Sequence, residues 1–98
     1  MEVRFHSDAL AELVDAMDWY ALRSNRAKES FLDEFEFAAS RIREAPLRWP
    51  TYLLGTRKVR LRRFPFALVY HVGVEVAHVL AVAHLRRRPG YWRGRREE

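Results

Sequence analysis

The chain has 98 residues, no cysteine and a net charge of +5. This length fits a single domain, and the lack of cysteine excludes disulfides and cysteine-ligated metal sites and suits a reducing compartment. The N-terminus shows no basic stretch followed by an apolar run, and no segment approaches about 18 apolar residues. We therefore expect one domain over residues 1–98, without signal peptide or membrane span, in the cytoplasm.

The positive charge is concentrated in the second half of the sequence. Residues 1–50 hold seven Lys/Arg against ten Asp/Glu, whereas residues 51–98 hold eleven against three. Arginine supplies 16 of the 18 cations, and its planar guanidinium pairs well with phosphate and carboxylate groups. This asymmetry predicts a surface for nucleic acid or for an acidic protein, the alternative being a basic face that only confers solubility.

The first half of the chain predicts a short strand followed by two helices. Residues 3–6 alternate apolar and polar side chains, as a strand does. Ser7 and Asp8 are expected to cap a helix over about residues 8–23, and Ser24-Asn25 a second one over about residues 26–44, which ends before Pro46. The apolar residues expected to face the core from the first helix are Leu10, Leu13, Val14, Met17, Tyr20 and Ala21.

The second half of the chain predicts three strands and a tail. Val59 and Leu61 alternate with Lys58, Arg60 and Arg62, which indicates a half-buried strand with a cationic outer face. The segments 66–72 and 76–85 are apolar at successive positions, as expected of strands covered on both faces, with a turn between them. Residues 86–98 are expected to form a basic tail with a turn at residues 89–90.

This order of elements is β-α-α-β-β-β. Consecutive strands joined by short turns favour antiparallel pairing, and the short break between the helices favours a hairpin. We therefore predict an α+β fold, in which a helical hairpin packs on one face of a mainly antiparallel sheet that the first strand also joins.

The sequence predicts neither a metal site nor a cofactor. His6, His71, His78 and His84 lack the spacing of a zinc site, and the four glycines are isolated rather than grouped in a phosphate-binding loop. His78 and His84 share strand parity but lie too far apart along the strand to chelate one ion.

Two basic segments are the candidate functional site. The first contains Arg57, Lys58, Arg60 and Arg62, and the second contains His84, Arg86, Arg87, Arg88, Tyr91 and Trp92. Antiparallel pairing can bring both segments to one end or face of the sheet. There the arginines would hold phosphates, an aromatic ring would stack on a base and His84 would move a proton, which suffices for RNA cleavage.

Each of these residues also has a structural interpretation. His84 can be an ordinary histidine at the end of a strand, without a catalytic role. Tyr91 and Trp92 can serve to pack the tail onto the domain. Arg95 and Arg96 are expected to be solvated. A plain basic RNA-binding module without toxicity or catalysis is therefore one of the functions that the residues allow.

Two C-terminal motifs resemble those of a known family. Residues 63–70 read RFPFALVY, and residues 79–92 end in HLRRRPGYW. They are similar to the basic-FP segment and to the closing strand and H-x-R-R-x-P-x-Y-W ending of RelE/ParE-type toxins. The resemblance extends over nearly the whole chain, with Ala9 to Tyr20 and Phe31 to Pro46 in the places of the family's two helices.

The resemblance implies the toxin of a bacterial type II toxin–antitoxin module, with a small acidic antitoxin as its partner. RelE-like members cleave mRNA, typically on the ribosome, whereas ParE-like members poison DNA gyrase without nuclease chemistry. In RelE-like members, cations of the middle strands and basic or aromatic residues near the C-terminus serve the RNA. The residues in comparable places here are Arg57, Arg60, Arg62, His84, Arg87 and Tyr91, of which His84, Arg87 and Tyr91 would be catalytic.

Overall fold

The structure is a computed structural model that describes residues 1–95. Its helices and strands follow the predicted order β-α-α-β-β-β. In chain order they are β1 (Glu2–Phe5), α1 (Ser7–Ala21), α2 (Asn25–Glu44), β2 (Arg57–Arg60), β3 (Phe66–Val72) and β4 (Val76–His84), with a single 3-10 turn at Leu53–Gly55. No helix within residues 1–95 is long and apolar enough to cross a membrane.

The four strands form one mixed sheet in the order β1-β4-β3-β2. β2 and β4 pair antiparallel with the central strand β3, whereas β1 runs parallel to β4 at the edge. The helical hairpin between β1 and β2 packs on one face of this sheet. The predicted α+β fold and the place of the first strand in the same sheet are confirmed.

Helix α1 begins one residue earlier than predicted and has a different cap. The backbone N–H of Asp8 donates to His6 Nδ1 at 3.0 Å, so His6 and not Ser7 or Asp8 is the N-cap residue. Ser24 was predicted correctly as the cap of α2, because its Oγ accepts the N–H of Ala27 at 3.0 Å. Each cap satisfies one of the free donors at a helix start.

The buried face of α1 is rotated relative to the prediction. Ala9 and Ala16 are its fully buried residues, whereas Leu10 and Val14 are about half exposed. The two alanines let the helix axis approach β4 closely, and larger side chains at these positions would overpack the interface. Helix α2 follows its predicted pattern more closely, since Phe31, Phe35, Ala38, Ala39 and Ile42 are all buried.

Both faces of the sheet are covered. The main core lies between the helices and the sheet and contains the ring cluster of Tyr20, Phe31, Phe64 and Phe66. A second, smaller cluster lies on the other face, where the C-terminal segment packs against β3 and β4. Its members are Val69, Leu80, Ala81, Ala83 and Trp92, with Tyr52 and Tyr91 at its border.

A β-bulge in β4 changes which face its side chains occupy. Val69 pairs with Ala81 and Tyr70 with Val79, so Leu80 is an extra residue without an opposite partner. After the bulge Val82 shares the helical face with Val79, and His84 follows at the same parity and contacts the ring of Phe66. The prediction that His78 and His84 share one face is therefore wrong, because an inserted residue reverses strand parity.

The connection between α2 and β2 is held by two side chains of the sheet. Tyr70 is fully buried and donates its hydroxyl to the carbonyl of Pro46 at 2.6 Å. Burial raises the pKa of Tyr70 to about 12, although the nearby Arg57 opposes this shift. Arg57 itself donates to the carbonyls of Leu47 and Trp49, at 3.1 and 2.6 Å. These bonds fix the connection over the edge of the core.

Replacing Tyr70 with phenylalanine is expected to lower the free energy of unfolding by about 1–2 kcal/mol, because the partly buried carbonyl of Pro46 loses its donor. Urea denaturation of the purified protein measures the change. Tyr20→Phe is a control that removes a hydroxyl from the other core tyrosine and is expected to cost less. Equal and negligible effects of both substitutions would show that this hydrogen bond does not contribute to stability.

Candidate functional site

The C-terminal segment, residues 85–95, folds back onto the sheet instead of extending into solvent. It consists of successive turns, and Gly90 adopts a left-handed conformation with φ of 81°. This conformation favours glycine and confirms the turn predicted at residues 89–90. Trp92 is only 2% exposed and anchors the segment in the second cluster. Of its two interpretations, the structure favours packing, because a buried ring does not offer its face to a base.

Glu12 on α1 is the residue on which this segment converges. Its carboxylate accepts the hydroxyl of Tyr91 at 2.6 Å and both terminal nitrogens of Arg95 at 2.8 and 3.0 Å. The Arg95 side chain is 15% exposed and also reaches Asp8 at 3.6 Å. The prediction that Arg95 is solvated is wrong, since this ion pair draws it onto the domain; Arg96 lies outside the described residues.

Glu12 and Arg95 also close an open edge of β4. β1 pairs with β4 only as far as Val79, so beyond that point β4 has no neighbouring strand on the β1 side, although it still pairs with β3 on the other side. There the N–H of Val82 donates to Glu12 at 3.0 Å, and the carbonyl of Leu80 accepts from Arg95 at 2.9 Å. The two side chains thus take the place of a strand partner for backbone groups of β4. A partly buried sheet edge requires such partners, because its N–H and C=O groups would otherwise be unpaired.

His84 ends β4 beside this cluster. Its Nδ1 accepts the backbone N–H of Arg86 at 3.1 Å, and its ring lies edge-on to Phe66 with centroids 5.1 Å apart. A neutral imidazole has one nitrogen with a free lone pair, and here that lone pair is used by the backbone. The histidine faces a cleft of about 350 Å³ whose other walls include Glu12, Asp15, Trp19, Tyr20, Pro65, Phe66 and Arg87.

Arg87 and Tyr91 interact with each other. The guanidinium of Arg87 stacks 3.8 Å from the centre of the Tyr91 ring, and its Nη1 lies 3.7 Å from a carboxylate oxygen of Glu12. Burial is the main cause that raises the pKa of Tyr91, and its hydrogen bond to Glu12 adds to it. The tyrosine is therefore a protonated donor at neutral pH. Arg86 and Arg88 flank Arg87 in the sequence, and both are exposed.

The cations of β2 and of the residues just after it form a second surface at the opposite edge of the sheet. Lys58 lies 4.1 Å from the ring centre of Tyr52, and Arg62 lies 5.0 Å from that of Phe37 on α2. Arg60 is exposed, whereas Arg57 is committed to the carbonyls described above. We call the groove between α2 and β2 the edge groove; its volume is about 360 Å³, and it is lined by Glu34, Phe37, Ala38, Arg41, Trp49, Pro50 and residues 58–62.

The structure places the predicted site residues on two surfaces that share Lys58. A cleft of about 140 Å³ brings Lys58 together with His84, Arg87, Arg88, Tyr91 and Trp92, as the convergence of the two basic segments predicted. Lys58 also lines the edge groove, together with Arg60 and Arg62. Sequence reasoning missed Glu12, although a signal for it exists. Glu12 lies three residues after Ala9 and four before Ala16, on the buried face of α1, where an acidic residue requires a partner.

These features define a small α+β protein of the RelE/ParE-like fold with two cationic surfaces. A family model described as the ParE toxin of the type II toxin–antitoxin system parDE matches residues 3–89. The chain belongs to this ParE toxin family and is the toxin component of such a module, with an antitoxin as its partner. This family assignment favours the toxin over the plain RNA-binding module.

A solved structure supports the fold independently. A chain described as "Chromosomal ParDE TA system from P. aeruginosa" superposes with a TM-score of 0.64 at 18% identity, over 88% of this chain and 97% of that one. At such an identity the similarity concerns the fold. Among curated protein sequences no relative matches the chain.

Proposed function

We propose that this toxin inhibits growth by acting on DNA gyrase and not by cleaving RNA. The observation that carries the proposal is the state of His84, whose Nδ1 lone pair accepts the backbone N–H of Arg86. In the neutral ring the other nitrogen then carries the proton. In this arrangement neither ring nitrogen offers a free lone pair to a ribose 2′-hydroxyl, which a general base in RNA cleavage needs.

The other two predicted catalytic residues support the same proposal. Tyr91 donates its hydroxyl to Glu12 at 2.6 Å, and its raised pKa disfavours the phenolate that a base would need. Arg87 is stacked on Tyr91 and paired with Glu12, so its charge is partly neutralised before a phosphate arrives. Gyrase poisoning by a ParE-like toxin needs a binding surface and no general base. It would take place in the cytoplasm, where the chromosome lies.

The exposed cations then have a binding role. Arg86 and Arg88 project from the C-terminal segment and are the residues that we assign to the target. We assign the edge groove to the antitoxin, which we expect to be acidic, because Lys58, Arg60 and Arg62 offer it a row of cations. Within the groove Glu34 already accepts the N–H of Arg62 at 3.2 Å, so a carboxylate fits this edge.

Induction of the toxin without its antitoxin tests the proposed target. We expect arrested growth, gyrase-dependent DNA breaks and lost supercoiling activity of purified gyrase, while the 5′ ends of cellular mRNA stay unchanged. The control is His84→Ala, which would abolish cleavage by a nuclease that uses this residue. New mRNA 5′ ends that appear with the native toxin and disappear with His84→Ala would refute the proposal and establish the nuclease.

A further inference from the structure

The donors around Glu12 form a complete oxyanion site. The hydroxyl of Tyr91, the paired nitrogens of Arg95 and the N–H of Val82 all lie within 3.0 Å of its two oxygens, and Arg87 is 3.7 Å away. A guanidinium fork, a phenol and a backbone amide are the groups by which proteins bind carboxylates and phosphates. Here the anion is supplied by α1 of the protein itself.

We propose that this cluster is an anion-binding site occupied by Glu12, and that Glu12 is the positioning residue that holds the C-terminal segment in its functional place. The donors come from β4 and from a segment 79 to 83 residues away in sequence, so the carboxylate is the group that joins them. Occupation by an internal anion also engages the hydroxyl of Tyr91, which donates to Glu12 at 2.6 Å.

The charges explain why the segment depends on Glu12 in addition to the buried ring of Trp92. The side chains of Glu12 and Arg95 are both 15% exposed, so neither is well solvated. Without the carboxylate, Arg87 and Arg95 would face each other near Tyr91, and the N–H of Val82 would lose its acceptor. Repulsion and an unpaired edge donor both favour release of the segment from β4.

Release of the segment would move the residues assigned to the target. Arg86 and Arg88 lie shortly after β4, in a run of turns that continues to Arg95, whose side chain donates to the carbonyl of Leu80. This consequence for toxicity rests on the proposed function. The anion site itself does not, because it is a property of the isolated protein.

Hydrogen exchange of the purified full-length chain tests the anion site directly. In Glu12→Ala we expect the amides of Val82 and of residues 91–95 to exchange about tenfold faster or more. The amide of Val82 donates to the carboxylate itself, and the turns of residues 91–95 are held in place by the side-chain bonds of Tyr91 and Arg95 to it. Sodium formate, a carboxylate that fits the vacated space, should restore much of this protection, and sodium chloride at equal ionic strength should not. Asp15→Ala, on the same helix and cleft, is the matched control and should exchange like the native protein.

Two further variants keep the test decisive. If Glu12→Ala fails to fold, Glu12→Gln preserves the shape but not the charge and should show faster exchange that formate does not correct, because the amide fills the site. Arg95→Ala removes the donor partner of Glu12 and should also speed the exchange of the same amides. Unchanged exchange of Val82 and residues 91–95 in folded Glu12→Ala or Glu12→Gln, or equal recovery in chloride and formate, would overturn the anion site.

Toxicity distinguishes this inference from the proposed target. If the anion site exists, Glu12→Ala should reduce growth arrest, and formate should restore the effect of the purified variant on gyrase. If formate restores the hydrogen exchange of Glu12→Ala but the native toxin has no effect on gyrase, the proposed target is refuted and the anion site is still supported. Full activity on gyrase in a Glu12→Ala protein with a released segment would overturn the positioning role.

Discussion

Replacing Phe31 with alanine is expected to lower the free energy of unfolding by about 3–5 kcal/mol. Its ring is fully buried between α2 and the sheet. It stacks on Tyr20 with centroids 5.1 Å apart and meets the edges of Phe64 and Phe66 at 5.5 and 5.4 Å. The substitution therefore removes a large apolar contact and leaves a cavity that the surrounding rings cannot fill by small movements.

The matched control is Phe37→Ala, six residues further along the same helix. Phe37 is 45% exposed, so its removal creates no closed cavity and is expected to cost less than about 1 kcal/mol. Denaturant unfolding followed by tryptophan fluorescence measures both variants. Since small domains are stable by only about 5–15 kcal/mol, Phe31→Ala should also lower the yield of folded protein. A cost no larger than that of Phe37→Ala would show that the aromatic cluster is not the centre of the core.

The order of the elements could be predicted from the sequence because each element carries its own period. Phe31, Phe35, Ala38 and Ile42 repeat at helical spacing, and all are buried. In β2 the buried residue Val59 is flanked by cations, as the alternation predicted. These signals are local, and local periodicity decides which face of an element meets the core.

The side chains of α1 show where this reasoning fails. Leu10 and Val14 are more hydrophobic than Ala9 and Ala16, yet the alanines are buried and the larger residues are half exposed. The reason is the close approach of α1 to β4, which depends on tertiary packing and not on the helix alone. The bulge at Leu80 is a similar case, because nothing in a uniformly apolar strand marks the residue that has no partner.

The cluster around Glu12 was hidden for a different reason. Its members are separated by up to 83 residues in sequence, and the basic composition of the tail predicted a solvated segment. Composition describes an average, whereas the position of Arg95 follows from specific partners, chiefly the carboxylate of Glu12 and the carbonyl of Leu80. The sequence did place His84, Arg87 and Tyr91 in one site, but their hydrogen bonds, which bear on their chemistry, required coordinates.

Reversing two charges of β2, in Lys58→Glu together with Arg60→Glu, is expected to weaken binding of the antitoxin by about 100-fold or more. β2 is the edge strand of the sheet, and its cations border the edge groove. An acidic partner would meet two carboxylates instead of two cations, so attraction becomes repulsion. The loss should appear partly in the association rate and should shrink at high salt, because screening weakens both the native attraction and the introduced repulsion.

The control carries the same change of charge elsewhere. Arg26→Glu with Lys28→Glu reverses one arginine and one lysine near the start of α2, away from the edge groove. Binding of the purified antitoxin to each variant, followed by surface plasmon resonance at two salt concentrations, separates local contact from net charge. If both double variants lose affinity equally, the antitoxin responds to the overall charge of the toxin. If only the β2 variant loses affinity, the edge groove is the antitoxin site, and the C-terminal segment with Arg86 and Arg88 is left for the target.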